Sequence, residues 1–329
     1  MFKTVKPHVW AFDAEWVPDP QTGREVYGLA EETAVDDIVE LMYQRGGATE
    51  EDPRPYLKTI LCRVVSVSAV TRSEEDDTVR VQLTSLPSFS GTGVQALPEA
   101  ELIQRFLEGV GRTQPQLVGY NSGGADLRIL LQRGVALGVQ AGDFARRPDK
   151  PWEGVDYFIP NGDWHVDLQE ILAGRSRGRP SLHELAVASG IPGKLDVAGS
   201  DVQDLWQAGR IEHIVAYNEC DAVTTYLLWL RIAHFAGFFD TDQYAAEQSL
   251  VRDLLTREGQ RPGREHLQSY LTAWDHLARP RAPAGPRASP RALARAREPP
   301  RAPASPREPP RAPPRAPPRA PPRAPPRAP

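Results

Sequence analysis

The apolar positions of this chain change period partway along, and the change outlines a mixed α/β body. His8-Val9-Trp10-Ala11-Phe12 is a short run rich in β-formers, which predicts a buried first strand. Residues 60–70 (ILCRVVSVSAV) and 78–86 (TVRVQLTSL) predict two more strands, joined by the acidic turn Glu74-Glu75-Asp76-Asp77. Together they read as an antiparallel meander. The period then lengthens. Leu102, Phe106, Leu107 and Val110 share one face of a helix over 98–110, and Leu127, Leu130, Leu131 and Val135 share one over 125–138. Short strands over 116–120 (QLVGY) and 164–168 (WHVDL) alternate with these helices. Ser181, with Glu184 three residues on, predicts a capping box for a helix over 182–189. A short helix over 201–208 and the longest helical run, 211–236, follow. Residues 17–58 are polar and irregular, with one helix around 33–43, and 143–162 reads as a long loop. The order predicts a sheet antiparallel on one side and parallel on the other, flanked by helices.

Composition then divides the chain. Residues 279–329 hold 19 of the 33 prolines and end in an Arg-Ala-Pro-Pro repeat. Proline at that density removes backbone donors and builds no core, so this tail is expected to be disordered or polyproline-like. It carries 13 basic and two acidic residues, a net of +11, which leaves 26 basic and 41 acidic residues, or −15, on the body. The expected domains are 1–245, a helical extension over 246–278, and the tail. An acidic body does not grip nucleic acid by charge alone, but it can meet phosphate through bound cations. Cys62 and Cys220 are too few for a disulfide framework or a cysteine zinc site. No signal peptide and no run near the roughly 20 apolar residues of a membrane span is visible. The expected location is cytoplasmic.

Three places carry candidate chemistry. Asp13 and Glu15 follow the first strand two residues apart, so they share a face, and two like charges there need an offsetting cation. Asp126 opens a helix just after Asn121-Ser122-Gly123-Gly124, where glycines permit close approach of a nucleic-acid backbone. Tyr217 and Asp221 lie four apart on one face of the long helix. Each has an ordinary explanation when taken alone: exposed acids at a strand end, a helix-capping aspartate, and a core tyrosine beside a surface acid.

In this order, Asp-x-Glu, Asn-x4-Asp and Tyr-x3-Asp resemble the motifs of the DEDD 3′–5′ exonucleases of the ribonuclease H-like superfamily, in their tyrosine-containing branch. The wider text, residues 12–19 (FDAEWVPD), His165-Val166-Asp167 and 180–231, is most similar to predicted stand-alone exonucleases related to the proofreading domain of family B DNA polymerases. The similarity spans about residues 8–240. Ala125 stands where these enzymes carry an aromatic, and Asn218 where the close family carries cysteine.

The resemblance implies a ribonuclease H-like fold and phosphodiester hydrolysis with two Mg²⁺ or Mn²⁺ ions. Asp13 would bridge both ions, Glu15 would bind one near the attacking water, Asp126 would hold the second, and Asp221 would complete the first. Tyr217 would orient the water. Trp16 and Asn121 are candidate substrate contacts, and Tyr120, Trp152, Tyr157, Phe158 and Trp164 are further aromatics able to stack a base. Asp167 either supports the cluster or anchors the next loop. The implied partner is a single-stranded 3′ end, DNA by analogy, with a polymerase or repair partner in trans; no membrane is involved. The alternative is a non-catalytic nucleic-acid-binding or scaffold protein on the same fold.

Overall fold

The computed structural model describes residues 2–277, apart from 92, 151, 160–161, 175–177 and 196–198. The basic tail lies outside the described residues. A single five-stranded sheet in the order β3-β2-β1-β6-β7 organises the body. β1 (His8–Pro18) sits at its centre and pairs antiparallel with β2 (Cys62–Glu75), which pairs antiparallel with β3 (Thr78–Leu86). On the other side β6 (Gln116–Gly119) and β7 (His165–Asp167) add in parallel. This is the mixed sheet the alternation predicted. The β2–β3 turn is built on Asp76 and Asp77, both left-handed (φ 47° and 59°), as a two-residue hairpin requires.

Helices cover both faces. α3 (Glu99–Thr113) and α4 (Asp126–Ala136) pack on one, around Phe12, Leu102, Ile103, Leu117 and Leu130. On the other lies α9 (Ile211–Phe235), whose Val223, Tyr226, Leu227 and Trp229 are buried against Val9, Ala11, Val70 and Val118. α10 (Thr241–Gly259) and α11 (Glu265–Leu277) pack onto α9, and residue 245 falls inside α10. Short elements complete the chain: the β4/β5 hairpin (Phe89–Ser90, Gly93–Val94), α5 (Gly142–Ala145), α6 (Leu168–Ala173), α7 (Leu182–Ala188) and α8 (Val202–Gln207). α7 begins with the expected Ser181–Glu184 capping box.

Two expectations need correction. The stretch after β1 holds the expected helix, α2 (Val35–Gly46), but also a second one ahead of it, α1 (Pro20–Tyr27), where irregular chain was expected. Pro20 opens α1 and left-handed Gly28 (φ 62°) ends it, while Gly23 inside it gives Met42 of α2 room to pack. Val135 is 82% exposed instead of buried, because the packed stripe of α4 runs through Leu127, Leu130, Arg133 and Gly134 and Val135 falls outside it.

Buried ion networks join these layers. Arg133 of α4 is 3% exposed and meets Glu99 at 2.6 Å and Asp19 at 2.7 Å. Glu99 also accepts the Val64 backbone N–H at 2.8 Å. α4, the end of β1 and the edge of β2 are thereby fixed together. Arg72–Glu247 links β2 to α10, and Glu219 of α9 is enclosed by Ser85, Arg264 and His266.

Candidate metal centre

β1 delivers the first two acids. Asp13 faces Ser68 and Glu15 faces Ser66 across the antiparallel pair. A bulge follows, since Trp16 pairs with Val64 and leaves Val65 extra. Bulges re-aim side chains, and here Glu15 and Trp16, though adjacent, both line the same trench. α9 crosses beneath and brings Asp221. One carboxylate oxygen from each of Asp13, Glu15 and Asp221 lies within 4.8 Å of the others.

Asp126 reaches the site from α4. Its Oδ1 accepts the backbone N–H of Ala14, between the two β1 acids, at 3.0 Å. The β6–α4 connection that places it is tight: a Cβ at Gly119 would lie 2.4 Å from Ser122, and Asn121 is left-handed (φ 59°). Asp167 holds this connection. Its carboxylate accepts the backbone N–H groups of Asn121 and Gly123 at 3.0 Å while capping α6 through Gln169 and Glu170. Of the two readings open for Asp167, these four bonds describe the anchor.

The electrostatics distinguish this cluster from the other buried acids. Glu99 and Asp19 are paired with Arg133, Glu247 with Arg72, and Glu219 with Arg264. Among the described residues no comparable ion pair reaches Asp13, Glu15, Asp126 or Asp221. Burial, then mutual repulsion, pushes Asp13 and Glu15 well above the ordinary carboxylate range. Burial pushes Asp126 up to about 7 against the opposing Ala14 hydrogen bond, and Asp221 up to about 6 against the bond from Tyr217. The charge of Lys194, at the trench wall, favours the ionised forms of Glu15 and Asp221. Oxygen-only donors, desolvated and short of positive charge, match the ligand preference of hard divalent cations.

Tyr217 donates to Asp221, its neighbour one turn on, and burial holds its phenol far above the ordinary range. It is therefore a proton donor at any working pH. Asn218 is a contact the sequence did not suggest. Its Nδ2 donates to Asp13 Oδ2 at 2.7 Å, and its Oδ1 accepts from Ser66 Oγ at 2.9 Å. The amide thus aims Asp13 and is itself fixed from β2. Its partners lie 205 and 152 residues away, so no local pattern marks it.

The trench around these groups has a volume of about 670 Å³. Trp16, Tyr120 and Asn121 line it. The other candidate aromatics do not line this trench. Tyr157 is buried on Phe144 with its hydroxyl on Pro115 O, Phe158 packs on Phe144, Trp164 lies under Lys6, and Trp152 is 78% exposed beside Lys150.

A mixed sheet whose central strand, β6–α4 connection and long helix bring acids to one trench defines a carboxylate-site α/β protein. The chain belongs to the family described as predicted 3′–5′ exonucleases related to the exonuclease domain of PolB, which residues 54–274 match. Asp126, Tyr217 and Asp221 lie inside the matched span, whereas Asp13 and Glu15 precede it and reach the site through β1. No curated protein matches the chain. Among the described residues no helix is long and apolar enough to cross a membrane.

Proposed function

We propose that this protein is a metal-dependent 3′–5′ exonuclease acting on single-stranded nucleic acid, with DNA the favoured substrate. The observation that carries the reading is the meeting of Asp13, Glu15 and Asp221 within 4.8 Å, beside the buried Asp126, with Asp221 buried, Asp13 and Glu15 half-buried, and no ion-paired cation on any of them among the described residues. Asp13, Glu15 and Asp221 would hold one Mg²⁺ or Mn²⁺ ion, and Asp13 and Asp126 a second. A pair of such ions supplies hydroxide near neutral pH and neutralises charge on both the attacking and leaving oxygens.

The chain's own groups do the rest. Asn218 holds the Asp13 carboxylate in one orientation. Tyr217 keeps its proton and positions the attacking water through its hydroxyl. Water adds to phosphorus, the bond to the upstream O3′ breaks, and that oxygen takes up a proton, releasing a nucleoside 5′-monophosphate. Asn121 and the β6–α4 connection give the phosphate backbone access, and Trp16 flanks the terminal nucleotide. The body carries a net −15, so steering of a polyanion falls to the bound cations, to Lys194 and to any partner in trans.

The test is release of mononucleotides from single-stranded oligonucleotides, with and without Mn²⁺ or Mg²⁺. Metal-dependent release by wild type, lost in Asp13→Asn and Asp221→Asn, is the expected result. No release by wild type, or full release by those variants, refutes the reading.

A further inference from the structure

Side-chain contacts tie the two walls of the trench together. Residues 54–57 and Tyr43 of α2 line it with Trp16 and Pro18 from the end of β1. Leu57 is buried in the cluster with Ile38, Met42 and Leu61, which fixes the segment from below. Across the trench Tyr43 donates to Gln203, and Arg54 meets Asp204 at 2.8 Å, so its two flanks touch. Both members of the ion pair are half-exposed and contribute little; the buried leucine carries the placement.

Tyr56 also lines the trench, a large aromatic left 68% exposed, its ring perpendicular to that of Trp16 with centroids 6.0 Å apart. An aromatic face held in place yet uncovered by protein is what stacking a base requires. Asn121, which lines the trench with Gln169 and Ser181, also lines a second cavity of about 530 Å³ that carries Arg128 and Arg179.

We infer that Tyr56 is the seat of the 3′-terminal base: its ring stacks that base beside Trp16, the joined walls at Tyr43–Gln203 and Arg54–Asp204 stop the strand, and upstream nucleotides leave past Asn121 toward Arg128 and Arg179. The inference rests on the exonuclease reading and adds to it the residue that recognises a chain end.

The experiment compares wild type, Tyr56→Phe and Tyr56→Ala on single-stranded oligonucleotides that end in a normal nucleotide or in a stable abasic residue, with Mg²⁺ present. Removing the terminal base is expected to raise the wild-type KM about tenfold, the scale of one stacked base. Tyr56→Phe, which keeps the ring, should behave as wild type. Tyr56→Ala should show the raised KM on both substrates, so that losing the ring and losing the base do not add. A wild type indifferent to the terminal base, or additive losses in Tyr56→Ala, overturns the inference while continued mononucleotide release leaves the exonuclease reading standing. No release from the intact oligonucleotide removes that reading and this inference with it. If Tyr56→Ala does not fold, the wild-type base comparison and Tyr56→Phe decide the matter alone.

Discussion

Neutralising one acid of the cluster should stabilise the metal-free protein while abolishing its chemistry, and Asp13→Asn is the cleanest instance. The substitution preserves shape, and its amide oxygen can still accept from Asn218. At an effective dielectric of about 20, two charges 4.8 Å apart repel by about 3.5 kcal/mol, and Asp13 has two such neighbours. The protein can escape by binding a proton, at about 1.4 kcal/mol for each pH unit above the ordinary value of 3.8, which limits the strain to about 4 kcal/mol at pH 7. Water in the open trench lowers it further, leaving an expected gain of about 1–3 kcal/mol, or a rise in Tm of about 3–8 °C for a body this size. The pH dependence has a definite sign. Asp13, the group the variant removes, is raised well above 3.8 by burial and then by Asp126, Asp221 and Glu15, and Asp126 and Asp221 are themselves raised from 3.8 to about 7 and about 6. Raised folded values mean a contribution that is complete below about pH 4 and lost as pH climbs through 6 and 7. The advantage of Asp13→Asn over wild type should therefore widen between pH 5 and pH 8. Thermal unfolding in EDTA across that range is the assay. A variant less stable than wild type, or a gap that does not change with pH, refutes the electrostatic reasoning.

Other consequences are as direct. Mn²⁺ should stabilise wild type at pH 8 by about 2.7 kcal/mol at one hundred times Kd, read as a higher Tm, and should leave Asp13→Asn nearly unmoved. Asn218→Leu should lower metal affinity about 10- to 100-fold, read by titration calorimetry, because Asp13 loses the bond that aims it. Arg133→Met should destabilise by about 3–5 kcal/mol in urea unfolding, since it leaves Glu99 and Asp19 buried without their partner. Deleting residues 279–329 should leave the Tm of the body and its nuclease rate unchanged in the same assays.

How much of this was legible beforehand varies by residue. The central strand, the Asp76–Asp77 hairpin and the Ser181 capping box follow from local patterns, and the structure has them where those patterns fall. Asp13 and Glu15 were readable as a pair because a strand repeats every two residues, and Tyr217 and Asp221 because a helix brings residues four apart together. That the pairs meet each other, and Asp126, depends on the order of the sheet, which only a resemblance supplied in advance. α1 was hidden because Gly23 interrupts its apolar period, and that glycine exists for contact with α2. Val135 fitted the helical stripe, but the stripe that packs runs through Arg133 and Gly134 and leaves it in solvent. Asn218 and Tyr56 were missed for a shared reason: their surroundings come from distant segments. Asn218 is a polar residue in a helix until Ser66 and Asp13 are beside it. Tyr56 is one aromatic in a polar, proline-containing stretch until Trp16 and the trench are seen.

The central claim is that Asp13, Glu15, Asp126 and Asp221 form one site for divalent cations. Anomalous scattering from a crystal soaked in Mn²⁺ addresses it without reference to activity. Two peaks are predicted, one among Asp13, Glu15 and Asp221 and one between Asp13 and Asp126, both absent in Asp13→Asn. Manganese bound elsewhere with this trench empty, or peaks that persist unchanged in the variant, would contradict the account.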